Sequence, residues 1–329
     1  MMKFDHPIQY LPRLWARRAA QSTLGCAPKR AWCIAMAACA LALGGCGDKA
    51  PPRAEPPAIE RLSAEDAALK QQLPQDITPE NHSMVMDAIL GKPKHPIRQI
   101  GILVYDGVND LDFTGPRYIL GQAGATTRLI GVKPGPIRTV MGVQVIPDTV
   151  IDDVKQLDIL IIPGGFTGTI EASYDDRVLD WIRAIDRGTT YTGAICTGVW
   201  ILGATGLLEG RRASTNWYRE EEFLKKYKAI PANERYTRDG KYWTSAGVTA
   251  GMDMSLALLN DNWGQRYTQG VMLDMEYDPA PPIQGGTPEK TGWLVEWMVK
   301  AMYDAGVDPL IKRLESQKKE RTEGPVPPR

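Results

Sequence analysis

The stretch Ala194-Ile195-Cys196-Thr197-Gly198 joins a short apolar strand to the helical run Val199-Trp200-Ile201-Leu202-Gly203-Ala204, and this junction constrains the fold more than any other feature. A nucleophile on a sharp strand-to-helix turn needs small residues two places before and after it, because the backbone there is cramped and strained. Ala194 and Gly198 meet that need. The segment therefore reads as a nucleophile elbow carrying a thiol. The following helix would point its free N–H groups and positive dipole end at the sulfur, favouring thiolate over thiol. A buried structural cysteine is the competing reading, since free cysteine is among the most buried residue types.

An elbow needs a sheet behind it, and from Ile100 onward strands alternate with helices. Ile100-Gly101-Ile102-Leu103-Val104-Tyr105 and Asp158 to Ile162 read as buried strands, and Thr127 to Val132 and Thr189 to Ile195 as further strands. Between them lie a helix from Gly115 to Gln122, opened by Thr114 with Pro116 in its first turn, and a helix from Asp175 to Asp186. The second carries Val178, Trp181, Ile182 and Ile185 on one face. Val140 to Ile146 reads as an irregular strand or hairpin, and the segments around Asp239-Gly240 as a second hairpin. Helices follow over Met252 to Leu259 and Trp293 to Tyr303. Such alternation predicts an α/β sandwich with a mostly parallel sheet and helices on both faces. In open sheets of this kind ligands bind outside the carboxyl ends of the strands. Asp106 to Thr114, Pro163 to Thr167 and the Cys196 elbow are the loops expected there.

The first 62 residues have a different character. Lys29-Arg30 precede thirteen apolar residues, Ala31 to Leu43. At about 1.5 Å per residue these span roughly 20 Å, short of the roughly 30 Å hydrocarbon core, so a transmembrane helix is not expected. The run ends in Leu43-Gly44-Gly45-Cys46, which resembles the lipobox of bacterial lipoproteins, and residues 1–46 are expected to be a lipoprotein signal peptide with Cys46 taking the lipid. A Pro-rich charged tether over 47–62 follows, then a helical extension over 63–96. These features predict a protein anchored by lipid to the membrane of a bacterial envelope and facing the periplasm. Of five cysteines, Cys26, Cys33 and Cys39 fall in the expected leader, so Cys196 is the thiol left in the mature chain. No disulfide and no metal site of the Cys-x-x-Cys type is expected. Lysine plus arginine and aspartate plus glutamate both number 39, so no electrostatic footprint for nucleic acid is expected. The three histidines, His6, His82 and His95, read as solvated or incidental.

Several motifs in order resemble the ThiJ/PfpI superfamily, which shares the class I glutamine amidotransferase-like, flavodoxin-like fold. They are Asp110-Leu111-Asp112-Phe113-Thr114-Gly115-Pro116, Ile162-Pro163-Gly164-Gly165, Ile195-Cys196-Thr197-Gly198, Leu202-Gly203-Ala204-Thr205-Gly206-Leu207-Leu208, Gly247 to Asp253 and Glu276 to Pro282. The resemblance covers residues 97–304 and leaves 305–329 as a charged C-terminal tail. Within the superfamily the wording is nearest to the isonitrile hydratase branch. That resemblance implies a homodimer, a small-molecule substrate and no cofactor. Peptidase-like members pair the cysteine with histidine, but no histidine stands between Pro96 and Arg329. The resemblance instead places Asp112 beside the thiol as the acid/base.

It implies that Cys196 attacks an isonitrile carbon to give a thioimidate, while Asp112 supplies a proton and then helps water to attack, yielding an N-substituted formamide. Burial and the neighbouring negative charge should raise the Asp112 pKa. Thr197 and the Gly164-Gly165 loop would orient the sulfur and hold developing charge. Alternatives stay open at each position. Asp112 also reads as a carboxylate capping a helix, with Asp110 as its rival, and the glycine pair as a plain strand-ending turn. Asn216 stands where many relatives carry histidine. Trp200, Trp217 and Trp243 read as core or as pocket wall. Met272, Met275 and Tyr277 are candidates for the dimer interface. A small-molecule sensor without turnover, or a redox or carbonyl-stress protein using the reactive cysteine, are the other functions the sequence allows.

Overall fold

Seven strands form the central sheet in the order β10-β11-β7-β6-β1-β2-β5, and every neighbouring pair is parallel except β10 with β11. The structure is a computed structural model and describes residues 64–323; the expected leader, Cys46 and the whole 47–62 tether lie outside the described residues. The chain divides into two compact units, 1–78 and 79–329. In the first, α1 covers Ala64–Gln72. In the second, α2 (His82–Leu90) precedes the sheet.

The sheet strands are β1 (Gln99–Val104), β2 (Thr126–Gly131), β5 (Thr149–Val150), β6 (Ile159–Ile162), β7 (Tyr191–Ile195), β10 (Tyr236–Asp239) and β11 (Tyr242–Ser245). Two small pairs stand apart from it, an antiparallel one of β3 (Ile137–Arg138) with β4 (Gln144–Val145) and a parallel one of β8 (Arg212–Ala213) with β9 (Ile230–Pro231). The central strands are continuous apolar runs because helices cover both faces of the sheet. Ile100, Ile102, Ile159, Leu160, Ile161 and Ile162 are wholly buried, and each contributes roughly 1.5–3 kcal/mol by leaving water. This is the expected flavodoxin-like α/β sandwich.

The covering helices are α3 (Asp110–Gly121), α4 (Thr167–Ser173), α5 (Asp176–Asp186), α6 (Gly198–Ala204), α7 (Glu220–Lys226), α8 (Val248–Trp263), α9 (Gln265–Asp274) and α10 (Trp293–Glu323). Asp175 caps α5 by accepting from Arg177 N–H at 3.0 Å, and the predicted stripe Val178, Trp181, Ile182 and Ile185 is buried. Thr114 does not open α3. Asn109 does, accepting from Leu111 N–H at 3.1 Å, so the helix begins one turn earlier and Pro116 lies inside it. The helix expected from Trp293 runs past Tyr303 to Glu323, with Pro309 inside. Among the described residues no helix is long and apolar enough to cross a membrane.

Candidate active site

Cys196 adopts φ of 56°, the left-handed region that a residue with a Cβ occupies only under constraint. Its backbone is pinned on both sides: its N–H donates to Ser245 O at 3.0 Å, and its carbonyl accepts from Thr215 Oγ1 at 2.7 Å. Two residues on, a Cβ at Gly198 would stand 2.2 Å from Ile162 O, so only glycine lets the elbow close against β6. The sulfur sits at the carboxyl end of β7 and the residue is 6% exposed.

Asp112 reaches the same point from the first turn of α3. It is wholly buried, and its Oδ2 accepts from Gly164 N–H at 2.9 Å while Oδ1 has no hydrogen-bond partner. The carboxyl is therefore not a helix cap, a task that Asn109 performs. Burial raises Asp112 from its ordinary 3.8 to about 7, against the opposing pull of the Gly164 amide and the Cys196 thiol. Asp110, its sequence rival, is occupied elsewhere. It accepts from Thr139 Oγ1 at 2.8 Å and Met141 N–H at 3.3 Å, tying α3 to the β3–β4 hairpin.

The thiol departs from expectation. Burial, and then the Asp112 charge, push Cys196 well above the ordinary thiol range, and the Asn216 amide and Thr197 groups oppose this without outweighing it. The start of α6 does favour an anion, but desolvation of the sulfur is the larger effect. The resting pair is thus a thiol beside a carboxyl whose pKa lies near neutrality, and it shares its protons as a unit.

Gly164 and Gly165 face inward. Gly164 N–H serves Asp112, and Gly165 N–H donates to Thr197 Oγ1 at 3.1 Å, so both amides orient site residues. Thr197 Oγ1 returns a bond to Gly165 O at 2.8 Å and meets Thr169 Oγ1 at 3.1 Å. Thr169 in turn meets Tyr105 Oη at 3.0 Å, and that hydroxyl donates to Pro163 O at 2.7 Å. A buried hydroxyl network therefore fixes the loop against the elbow.

Asn216 is the residue whose role the sequence left open. Its Nδ2 donates to Cys196 Sγ at 3.2 Å, and its Oδ1 accepts from Tyr218 N–H at 3.0 Å. It also lines an open depression of about 980 Å³, together with Trp217, Ala246 and Gly247. Neither Cys196 nor Asp112 lines that depression, and Asn216 is the lining residue that touches the sulfur. Half-buried Phe166, Trp217 and Tyr303 form an aromatic cluster, with ring centroids 4.9 Å apart for Phe166 and Tyr303 and 6.1 Å for Trp217 and Tyr303. Burial raises the Tyr303 hydroxyl, and the nearby Cys196 charge adds to it, so α10 brings this ring within the electrostatic reach of the thiol. Trp200 is core, stacked on Phe223 at 3.8 Å, and Trp243 is buried as well. His95 touches Tyr191, the first residue of β7, a strand's length from the elbow. Met272, Met275 and Tyr277, the interface candidates, pack partly buried against their own core.

Comparisons with known proteins agree with this geometry. The isonitrile hydratase of Pseudomonas putida is 38% identical over 192 residues, which is 58% of this chain and 83% of that one. The HTH-type transcriptional regulator CdhR of Pseudomonas aeruginosa is 32% identical over 132 residues, 40% of this chain and 39% of the regulator. The crystal structure of a ThiJ/PfpI family protein from Pseudomonas syringae superposes with a TM-score of 0.64 at 29% identity, covering 74% of this chain and 99% of that one. Residues 98–261 match the DJ-1/PfpI family, and with the elbow, the sheet order and the hydratase likeness this establishes that the chain belongs to that family.

Proposed function

We propose that the protein is a cysteine-dependent enzyme that adds water to an isonitrile and releases an N-substituted formamide. The observation that carries this reading is Asp112: a wholly buried carboxyl with one oxygen unpartnered, beside a thiol that among the described residues has no histidine partner. The likeness to an isonitrile hydratase supports the substrate class. An isonitrile also suits a sulfur on a residue only 6% exposed, because its reactive carbon is terminal and slim.

The chemistry balances on the residues present. The Cys196 S–H proton passes to Asp112, and from there to the terminal carbon, as sulfur bonds to that carbon; the product is a thioimidate, R–N=CH–S–Cys196. Asp112, again a carboxylate, then takes one proton from water as the oxygen adds to the same carbon and passes that proton to nitrogen, giving R–NH–CH(OH)–S–Cys196. Collapse of that adduct breaks the C–S bond, and the hydroxyl proton passes through Asp112 to sulfur as R–NH–CHO is released. Thr197 and the Gly164-Gly165 loop keep the two reacting groups in register. Phe166, Trp217 and Tyr303 offer an apolar wall for the R group.

Formamide formation from a simple alkyl or aryl isonitrile by the purified protein tests the reading. Cys196→Ala should abolish turnover, Asp112→Asn should lower it by about 10²–10⁴ as a lost acid/base, and Asp112→Glu should retain part of it. No formamide from a protein whose thiol reacts readily would discard hydration and favour a sensor, the reading that the regulator likeness supports. We further propose a homodimer, and a lipid anchor at Cys46 in a bacterial envelope.

A further inference from the structure

Asn216 meets the Cys196 sulfur through its side-chain amide. Because its Oδ1 accepts from Tyr218 N–H, the amide is held in one of its two flip orientations, which leaves Nδ2 to donate to Sγ at 3.2 Å. A sulfur that accepts from Asn216 must direct its own hydrogen elsewhere. Asp112 Oδ1 is a buried acceptor with no partner, on a wholly buried carboxyl that interacts with the Cys196 thiol. An amide N–H neither gains nor loses a proton in the working range, so it stabilises a sulfur anion without competing for the proton. An imidazole at this position would compete.

We propose that Asn216 is a further catalytic residue: a neutral donor that holds Sγ and stabilises the thiolate, so that the Cys196 proton passes to Asp112 and to no other group. This rests on the assignment of Cys196 and Asp112 as nucleophile and acid/base. In the step the S–H bond breaks, its electron pair stays on sulfur, and an O–H bond forms on Asp112. Negative charge moves from carboxylate to sulfur. The Asn216 hydrogen bond strengthens as it does so, since bonds to an ionised acceptor are stronger than bonds to a neutral one. The donation therefore favours the product side of the transfer.

The test is the pH dependence of Cys196 alkylation by iodoacetamide in the full chain, located by mass spectrometry and run beside isonitrile turnover. Asn216→Ala should slow alkylation at pH 8 by about tenfold and move its midpoint to higher pH, the scale of one hydrogen bond to an anion. Asn216→Asp keeps the size and the acceptor for Tyr218 N–H but replaces the donor with a second negative group, so its loss should be larger. Should Asn216→Ala fail to fold, the near-isosteric Asp variant carries the test. Wild-type alkylation profiles in the folded variants would overturn the inference. Alkylation that depends on Asn216 in a protein forming no formamide would uphold it and discard only hydration.

Discussion

Asp112 is a residue whose function works against stability. Its carboxyl is wholly buried and titrates near 7 in the fold, against about 3.9 in an unfolded chain. Between those values the folded state binds more protons than the unfolded state, so stability falls as pH rises from about 4 to about 7 and stays reduced above. The shift bounds this loss at about 4 kcal/mol. Asp112→Asn removes the charge and keeps the shape, so thermal unfolding should show the variant ~1–3 kcal/mol more stable than wild type at pH 8, with the gain largely gone near pH 4. An equal effect at both pH values would mean that the carboxylate is not the destabilising form. The same pair sets the pH profile of turnover. With one proton shared between Asp112 and Cys196 the site is competent, and with two it has no base. The rate constant kcat/KM should therefore rise through an apparent pKa of about 7 and remain level into the alkaline range, because the thiol ionises only far above it.

Loops at the ends of β6 and β7 do the positioning, and they tolerate almost no added volume. A Cβ at Gly164 would lie 2.7 Å from Thr197 N and 2.8 Å from Asp112 Oδ2, so Gly164→Ala must move either the elbow or the acid. Turnover should fall at least about tenfold, since small misplacements of reacting groups are costly. Activity within twofold of wild type would show that the loop yields. At this scale the sequence was informative where physics is local. The apolar runs of β1, β6 and β7 and the small residues flanking Cys196 each carry their structural cause within a few positions. Asp112 was legible through the motif around it. Asn216 stood out only as a departure from the family's histidine, and its role was not legible, because its meeting with Sγ depends on the chain returning twenty residues later and on Tyr218 fixing its amide. The thiol's raised pKa was hidden for the same reason: desolvation is a property of the packed molecule. Helix α4 escaped because its run Thr-Gly-Thr-Ile-Glu-Ala-Ser has weak helical propensity and is held by packing on α6 and α10.

At the scale of the whole molecule, lysine plus arginine equal aspartate plus glutamate, so net charge favours no partner of one sign, and the apolar surface is the feature that stands out. Trp293, Leu294, Val295, Trp297 and Met298 are exposed at the start of α10, as is Leu273 on α9. Exposed large side chains in such density mark a contact surface, in keeping with the proposed homodimer. The mass in solution at micromolar protein should be that of two chains, and a monomer there would refute the dimer. Anchoring is a separate matter, carried by residues 29–46 alone. If Cys46 takes the lipid, the mature chain begins there, lacks Lys29-Arg30 and the apolar run, and partitions with detergent or membranes through its acyl chains. Cys46→Ala should then block processing at that site and abolish lipid labelling, while isonitrile turnover by the Cys196 site is retained. A chain that is unlabelled by lipid in the wild type, or equally membrane-bound and equally processed in Cys46→Ala, would refute the anchor without touching the active-site assignment.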